Sequence, residues 1–327
     1  MYPRLSDLTR DLFGFDFPVP LYTFGLMVAV AILTATAMTR IELDRMYAGG
    51  LIGPVRTKTK DAKGRERTVD ESPSVLIWTM MGMAAFFGIA GSKLFHLFDF
   101  WDEFMADPFG MVFSTSGLTF LGGLICGAIA FAVYARMKGM NVLRLFDAIV
   151  PGLLLAYGLG RIGCYLSGDG DWGVCSTLAN KPGWIPGFLW SETFPRNLVG
   201  PGGTPIDPVL FNQAVRGEVC TIPNPTGVYP TMLYELAICA ALAGVLWMLR
   251  KNPFRAGWLF SLYLVFAGLE RFVIEIIRVN PIVAFGLSQS QLISVGLVVV
   301  GLVGLALTTR RAVPPVAAPP ATAPVAA

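Results

Sequence analysis

Apolar residues in this chain are gathered into seven long runs. The runs lie near residues 18–38, 74–96, 112–135, 146–166, 230–249, 257–278 and 286–308. Each approaches the length of about 20 residues that an α-helix needs to cross the hydrocarbon layer of a membrane. The pattern predicts an all-α integral membrane protein with about seven transmembrane helices.

The composition agrees with this class. Hydrophobic residues make up 54% of the chain and charged residues 14%, whereas about 25% of the residues in soluble domains are charged. The hydrophilic start of the chain interrupts its apolar residues with charges, so we do not expect a cleavable signal peptide there. The first helix is expected to remain in the mature protein.

Basic residues are concentrated in every second connection between the runs. The connection after the first run carries eight lysines and arginines, and those after the third, fifth and seventh runs are also basic. Because positive loops are retained in the cytoplasm, this predicts an outer N-terminus and a cytoplasmic C-terminus. The net charge of +3 is then explained by topology, and no nucleic-acid partner is expected.

The predicted organisation is one transmembrane domain over residues 1–309 and a Pro/Ala-rich cytoplasmic tail over residues 310–327, expected to be disordered. The segment 168–228 is too long and too rich in Gly and Pro for a simple turn, and predicts a small periplasmic head or arm. Its sequence WIPGFLW suits the headgroup level of a membrane. A disulfide between Cys175 and Cys220 would be stable there, but the sequence leaves the pairing open.

Charged residues within the apolar runs are the best indication of function. Arg161, Arg271, Glu275 and Arg278 lie in such runs, where an unpaired charge costs about 2.5–3.5 kcal/mol on insertion scales. The last three are spaced i, i+4 and i+7, so they share one face of a helix. Three of these four residues are positive and one is negative, which favours an anionic ligand over a purely structural ion pair.

Further charges are expected at the same depth of the membrane. Glu235 lies near the outer start of the fifth run, Lys93 and His96 lie at the outer end of the second, and Asp169 and Asp171 follow the fourth. At about 1.5 Å per helical residue, Arg161 and Arg271 lie about 20 Å from the cytoplasmic ends of their helices. The predicted topology therefore brings these charges together in the outer leaflet.

Several segments, in order, resemble the bacterial prolipoprotein diacylglyceryl transferase family. The strongest is GLGRIGCYLSGDGDWG, which is similar to the family signature. The others are PLYTFGLM, GLTFLGGLICG, YPTMLYE, RFVIEIIR and GLSQSQLISV. Together the similar segments extend over nearly all of residues 18–308.

The resemblance implies a transferase of the bacterial inner membrane. Such an enzyme moves the diacylglyceryl group of phosphatidylglycerol to the lipobox cysteine thiol of a preprolipoprotein and releases glycerol phosphate. Its partners would be phosphatidylglycerol, the prolipoprotein signal peptide and membrane lipids. No cofactor or metal is implied, and the nucleophile belongs to the protein substrate.

The resemblance also assigns roles to individual residues. The implied catalytic residues are Arg271, Glu275 and Asp169, and the implied substrate-binding residues are Arg161, Gly163, Gly173, Gly122, Gly123, Tyr234, Glu235 and Arg278. Asp171 is the alternative to Asp169 as the acid of the glycine-rich turn. Gly122 and Gly123 could instead serve only helix packing, and Tyr234 could anchor the interface rather than bind a headgroup.

The chain departs from the family pattern in three places. Leu121 stands where many members have a histidine proposed as general base, Cys164 stands where many have asparagine, and Tyr229 and Met232 replace His and Gln of the fifth-span motif. The proton acceptor is therefore open. One candidate for the general base is His96, the single histidine of the chain. Alternatively, the positive field of the arginines ionises the substrate thiol and no histidine is needed.

If the field of the arginines ionises the thiol, its proton passes to water or to a carboxylate such as Glu275 or Asp169.

Two other classes of protein remain at this stage. A small-solute or lipid transporter with an anion site in the outer leaflet would also place charges within helices, although the sequence shows no internal repeat. A membrane scaffold without catalysis is the other class.

Overall fold

The computed structural model describes residues 2–19, 21–60, 66–114, 119–200, 203–215, 220 and 222–310, and is mostly helical. Apart from Arg310, the predicted tail lies outside the described residues. The α-helices of the described part are Leu5–Phe13 (α1), Thr23–Ala48 (α2), Ile77–Asp99 (α3), Trp101–Ala106 (α4), Pro108–Phe113 (α5), Phe120–Met137 (α6), Val142–Ser167 (α7), Pro208–Val215 (α8), Thr231–Leu249 (α9), Trp258–Glu275 (α10) and Gln289–Thr308 (α11).

Helices lie at the positions of all seven predicted runs, namely α2, α3, α6, α7, α9, α10 and α11. Five of them, α2, α3, α7, α9 and α11, are long and apolar enough to cross a membrane. Helix α6 is short, and α10 carries three charged residues in its last two turns. A helical protein with membrane-spanning segments is therefore confirmed, and the number of spans stays a prediction.

Short antiparallel pairs of strands accompany the helices. Val55–Lys60 (β1) pairs with Glu66–Glu71 (β2), Cys175–Ser176 (β3) with Gly227–Val228 (β4), and Ile282–Ala284 (β5) with Leu287–Ser288 (β6). The sequence analysis did not predict the first pair, which lies in the basic connection after α2. Its sequences VRTKTK and ERTVDE contain the β-branched residues that favour strands.

The chain divides into two compact units, of which one contains residues 38–148. Within it, α3 and α6 pack closely through glycines. A Cβ atom on Gly122 would lie 2.5 Å from the carbonyl oxygen of Gly91, and one on Gly123 would lie 3.1 Å from that of Gly88. Both distances are shorter than ordinary packing contacts, so these glycines permit the close approach of the two helices.

The other unit contains residues 1–37 and 149–312. One apolar core joins α7, α9 and α10 through Val150, Leu154, Cys239, Ala243, Leu246 and Leu259. A second core forms where the segment after α7 meets α9, and contains Cys164, Trp172, Phe194, Val228 and Met232. Burial of these side chains fixes the segment 168–228 on the ends of the helices.

A disulfide connects Cys175 and Cys220, with 5.0 Å between their Cα atoms. The pairing that the sequence left open is therefore present in the structure. Cys175 also pairs with Val228 in the β3–β4 sheet, so both ends of the intervening loop are held at the same place.

A cluster of arginines and carboxylates

Charged side chains from three helices meet at one end of the unit that contains α7, α9 and α10. Arg161 lies near the end of α7 and Arg271 near the end of α10, whereas Glu235 lies in the second turn of α9. Arg278 follows α10 in the chain. The predicted convergence of these four residues is observed.

Glu235 is the centre of the cluster and is completely buried. Its Oε1 lies 3.1 Å from Arg278 Nη1 and 3.4 Å from Arg271 Nη1. Its Oε2 lies 2.5 Å from Arg161 Nε, a close contact without hydrogen-bond geometry, and accepts a 3.0 Å hydrogen bond from the Tyr157 hydroxyl. One carboxylate thus holds three guanidinium groups in place.

Asp171 is the second carboxylate that connects arginines. Its two oxygens pair with Arg161 Nη1 and Arg278 Nη2. The Thr231 hydroxyl donates a 2.7 Å hydrogen bond to the backbone carbonyl of Asp171 and fixes it on the start of α9. Burial alone would raise the pKa of Asp171, but the positive charges of Arg278 and Arg161 hold that pKa below its ordinary value.

Gly173 explains how the chain after Asp171 reaches the cluster. Its amide donates a 2.8 Å hydrogen bond to the carbonyl of Tyr229, and it forms an antiparallel bridge with Arg278. A Cβ atom here would lie 2.6 Å from the carbonyl oxygen of Ile277. Only glycine allows this approach, which places the backbone of Arg278 beside the glycine-rich turn.

Glu275 completes the cluster on the other side of Arg271. Its Oε1 accepts hydrogen bonds from Asn280 Nδ2 at 2.7 Å and from the Ser288 hydroxyl at 2.6 Å. Its Oε2 lies 3.1 Å from Arg271 Nη2. Ser288 is also the N-cap of α11, so Glu275 connects the end of α10 to the start of the next helix.

Arg271 is the most accessible of the three arginines. Its side chain is 22% exposed, compared with 13% for Arg161 and 7% for Arg278. Its Nη2 donates a 3.3 Å hydrogen bond to Ser290, and its Nε makes no hydrogen bond with any described residue. The Nε N–H of this guanidinium is therefore available to a ligand.

The charges of the cluster are balanced. Three guanidinium groups face the three carboxylates of Asp171, Glu235 and Glu275. The excess of positive charge expected from Arg161, Arg271, Glu275 and Arg278 is thus absent from this cluster, because Glu235 and Asp171 add two negative charges. The accessibility of Arg271, rather than net charge, indicates where an anion would bind.

Asp169 occupies a different position from Asp171. It makes no ion pair with an arginine among the described residues, although its Oδ1 accepts a 3.2 Å hydrogen bond from the amide of Asp171. The side chain of Asp169 reaches solvent, but the protein around its other sides and the negative charge of Asp171 raise the pKa of Asp169. It can accept a proton more readily than the paired acids.

Three groups of metal-ligand type lie close together next to the arginines. The Cys164 thiol and the carboxylate oxygens of Asp169 and Asp171 are within 4.8 Å of one another. Both oxygens of Asp171 are already paired with Arg161 and Arg278. Ion pairing therefore accounts for the position of Asp171 in this group.

The other predicted site residues have packing contacts of their own. Gly163 packs α7 against α2, since its Cβ position is 3.2 Å from the Cα atom of Phe24. The Tyr234 hydroxyl donates a 2.5 Å hydrogen bond to the carbonyl of Leu189. Gly122 and Gly123 belong to the unit of α3 and α6 described above. His96 belongs to the same unit, and the centroid of its ring lies 4.7 Å from that of Phe100.

Two residues beside the cluster, Tyr157 and Glu270, were not predicted from the sequence. Tyr157 donates to Glu235 and accepts a 2.6 Å hydrogen bond from Arg161 Nη2; its spacing of four residues before Arg161 was the available signal. Glu270 lies one position before Arg271, is buried, and its Oε1 has no hydrogen-bond partner among the described residues. A charged residue within an apolar run was the signal in that case.

Comparison with known proteins identifies the family that the sequence segments resemble. The sequence profile of a family described as prolipoprotein diacylglyceryl transferase matches residues 11–307. The phosphatidylglycerol–prolipoprotein diacylglyceryl transferase 2 of Clostridium perfringens is 28% identical over 294 residues, which cover 89% of this chain and 92% of that protein. A phosphatidylglycerol–prolipoprotein diacylglyceryl transferase of Dehalococcoides mccartyi is 31% identical over 212 residues, with 65% and 68% covered.

Proposed function

This chain belongs to the prolipoprotein diacylglyceryl transferase family, and we propose from that premise how its cluster performs the transfer. The enzyme transfers the diacylglyceryl group of phosphatidylglycerol to the lipobox cysteine thiol of preprolipoproteins and releases glycerol phosphate, the first step of lipoprotein maturation. The observation that carries the proposal is a fixed ion-pair cluster with one accessible guanidinium at the ends of three apolar helices.

We propose that the protein spans the bacterial inner membrane seven times, with its N-terminus outside. The basic connections after α2, α6, α9 and α11 support this orientation. In this topology the cluster lies in the outer leaflet, beside the segment 168–228 on the periplasmic side. The disulfide between Cys175 and Cys220 suits an oxidising compartment.

Arg271 is the proposed contact for the phosphate of the donor lipid. Its Nε N–H has no partner among the described residues, and a guanidinium can donate paired hydrogen bonds to phosphate oxygens. The thiolate sulfur of the substrate attacks the glyceryl carbon attached to the phosphate, a carbon–sulfur bond forms, and the carbon–oxygen bond breaks with its electron pair on the departing oxygen. A fixed guanidinium stabilises that growing negative charge more in the transition state than in the ground state.

The other residues of the cluster are proposed to position this arginine and the donor. Arg161 and Arg278 fix Glu235 and Asp171, and Glu275 fixes Arg271 from its other side. Gly173 brings the backbone of the glycine-rich turn beside the backbone of Arg278. Gly163, Gly122 and Gly123 are proposed to set the approach of helices or lipid, and Tyr234 to place the outer segment 168–228.

Asp169 is our proposed acceptor of the thiol proton. Glu275 is a weaker candidate, because its Oε1 already accepts two hydrogen bonds and its Oε2 faces Arg271. Asp169 makes no ion pair with an arginine among the described residues, has a raised pKa and reaches solvent, so it can pass the proton to water. The nearby arginines favour the thiolate form of the bound substrate.

The test of the proposed function is transfer by the purified protein. Phosphatidylglycerol and a lipobox peptide are mixed with it, and the expected product is a diacylglyceryl peptide detected by mass spectrometry. A peptide with serine in place of the lipobox cysteine is the matched control and should remain unmodified. If no product formed under conditions in which a family relative is active, the proposal would be rejected. A transporter or a membrane scaffold without catalysis would then be the favoured function.

Replacement of His96 by alanine is expected to retain most of the transferase activity. In our proposal the proton leaves through Asp169 and water, so the rate should rise with pH until the bound thiol is ionised. Single-turnover transfer would be measured against pH in the wild type, His96→Ala and Asp169→Asn. Loss of activity in a folded His96→Ala protein, restored by added imidazole, would instead identify His96 as the base.

A further inference from the structure

An apolar cavity of about 490 Å³ lies where the outer segment meets the start of α9 and the chain after α10, and it has no part in the mechanism described so far. The outer segment contributes Trp184, Ile185, Pro186, Leu189 and Trp190 to its walls, and the start of α9 and the chain after α10 contribute Tyr229, Leu233, Tyr234, Ala237 and Ile277. Two of these residues precede members of the cluster directly, since Tyr234 is followed by Glu235 and Ile277 by Arg278.

Three polar groups of the lining are hydrogen-bonded within the protein, whereas the Tyr229 hydroxyl and the Trp184 indole N–H make no hydrogen bond with any described residue. The Tyr234 hydroxyl donates to the carbonyl of Leu189, and the Trp190 indole N–H donates to the carbonyl of Thr177 at 3.1 Å. The carbonyl of Ile185 accepts a 2.6 Å hydrogen bond from Lys181 Nζ. A peptide in the cavity would bury backbone groups that need partners, whereas a hydrocarbon chain has none to satisfy.

We propose that this cavity binds one acyl chain of the phospholipid donor while the phosphate of the same molecule lies at Arg271. The lining residues Tyr234 and Ile277 directly precede Glu235 and Arg278, which pair with each other and, through Glu235, with Arg271. An anionic head at Arg271 and a hydrocarbon chain in the cavity are together the two parts of an amphiphile. The inference rests on the proposed function, because it names how the donor of that reaction is held. It assigns to the outer segment the selection of the lipid by its hydrocarbon chain.

The test narrows the cavity from α9. Ala237→Phe places a ring at an exposed lining position, and Ala241→Phe, four residues later on the same helix and also exposed, is the matched control outside the cavity. Transfer is measured with dipalmitoyl and dihexanoyl phosphatidylglycerol. Because each buried methylene contributes to binding, Ala237→Phe should lower kcat/KM for the long-chain donor at least about tenfold.

With the short-chain donor, Ala237→Phe should stay within about twofold of the wild type, and Ala241→Phe should do so with both donors. An equal loss with both donors, or a raised KM for the lipobox peptide with donor KM unchanged, would overturn the proposal. Ala237→Leu, a smaller change, should show the same chain-length effect more weakly if Ala237→Phe fails to fold.

A binding measurement keeps the inference separate from the activity. Phosphatidylglycerol with a diazirine in one acyl chain is photolysed on the wild-type protein, and cross-linked peptides are identified by mass spectrometry. Labels in residues 184–190 or 229–237, reduced by Ala237→Phe and unchanged by Ala241→Phe, would support the acyl-chain site even if transfer were absent. Labelling elsewhere only would reject the site even if transfer occurred.

Discussion

Replacement of Glu235 by glutamine is expected to lower the free energy of unfolding by about 3–5 kcal/mol, the cost of breaking a buried ion pair. Glu235 is completely buried and faces Arg161, Arg271 and Arg278. Glutamine has nearly the same shape, but it removes the negative charge and turns an amide N–H₂ toward groups that are themselves donors. Thermal unfolding in detergent, followed by circular dichroism, measures the loss.

The matched control is Glu66→Gln in the β1–β2 pair. Glu66 forms an ion pair with Lys58 at 3.2 Å, but the two side chains are 62% and 77% exposed, and an exposed pair contributes about 0–1 kcal/mol. The control should unfold at nearly the wild-type temperature. A Glu235→Gln protein with the wild-type unfolding temperature would show that the three arginines do not depend on this carboxylate.

Replacement of Arg271 by lysine should lower kcat/KM for transfer at least about tenfold, equivalent to about 1.4 kcal/mol at the transition state. Arg271 uses Nη1 toward Glu235 and Nη2 toward Glu275 and Ser290, and its Nε N–H remains available for the phosphate. A single ammonium group cannot occupy both carboxylates and donate paired hydrogen bonds to a ligand. Steady-state kinetics with varied phosphatidylglycerol measures the effect.

The control for this change is Arg196→Lys on the outer segment. Arg196 pairs with Asp11 at 2.6 Å, but its side chain is 49% exposed and it lies outside the cluster. Activity of the control should remain within about twofold of the wild type. If Arg271→Lys turned over as fast as this control in a protein of normal stability, Arg271 would be a structural ion-pair partner and not the phosphate contact.

The helices were predictable from the sequence because the length of an apolar run depends only on residues that are near one another in the chain. Runs of apolar residues predicted helices at the right positions, and charges inside those runs identified Arg161, Arg271, Glu275 and Arg278 as members of one site. Their spacing on α10 fixed which face they share. These features depend on residues near one another in the chain.

Contacts that depend on the path of the chain were not predictable in the same way. Asp169 and Asp171 were equivalent in the sequence, and only the bridge between Gly173 and Arg278 shows why Asp171 pairs with the arginines. The partners of Glu275 also come from a separate turn, where Asn280 and Ser288 precede α11. The local order of apolar and polar residues does not indicate which distant segments form hydrogen bonds with each other.

The β3–β4 pair has a consequence for how such a protein can change over evolution. Cys175 lies opposite Val228 and Ser176 opposite Gly227, so the intervening loop starts and ends at one fixed point. Insertions or deletions within the loop would leave Asp171 and the start of α9 in place. The same loop supplies the aromatic wall of the acyl-chain cavity. We therefore expect relatives to diverge in loop length and in the lipids that they accept while the ion-pair cluster is inherited unaltered.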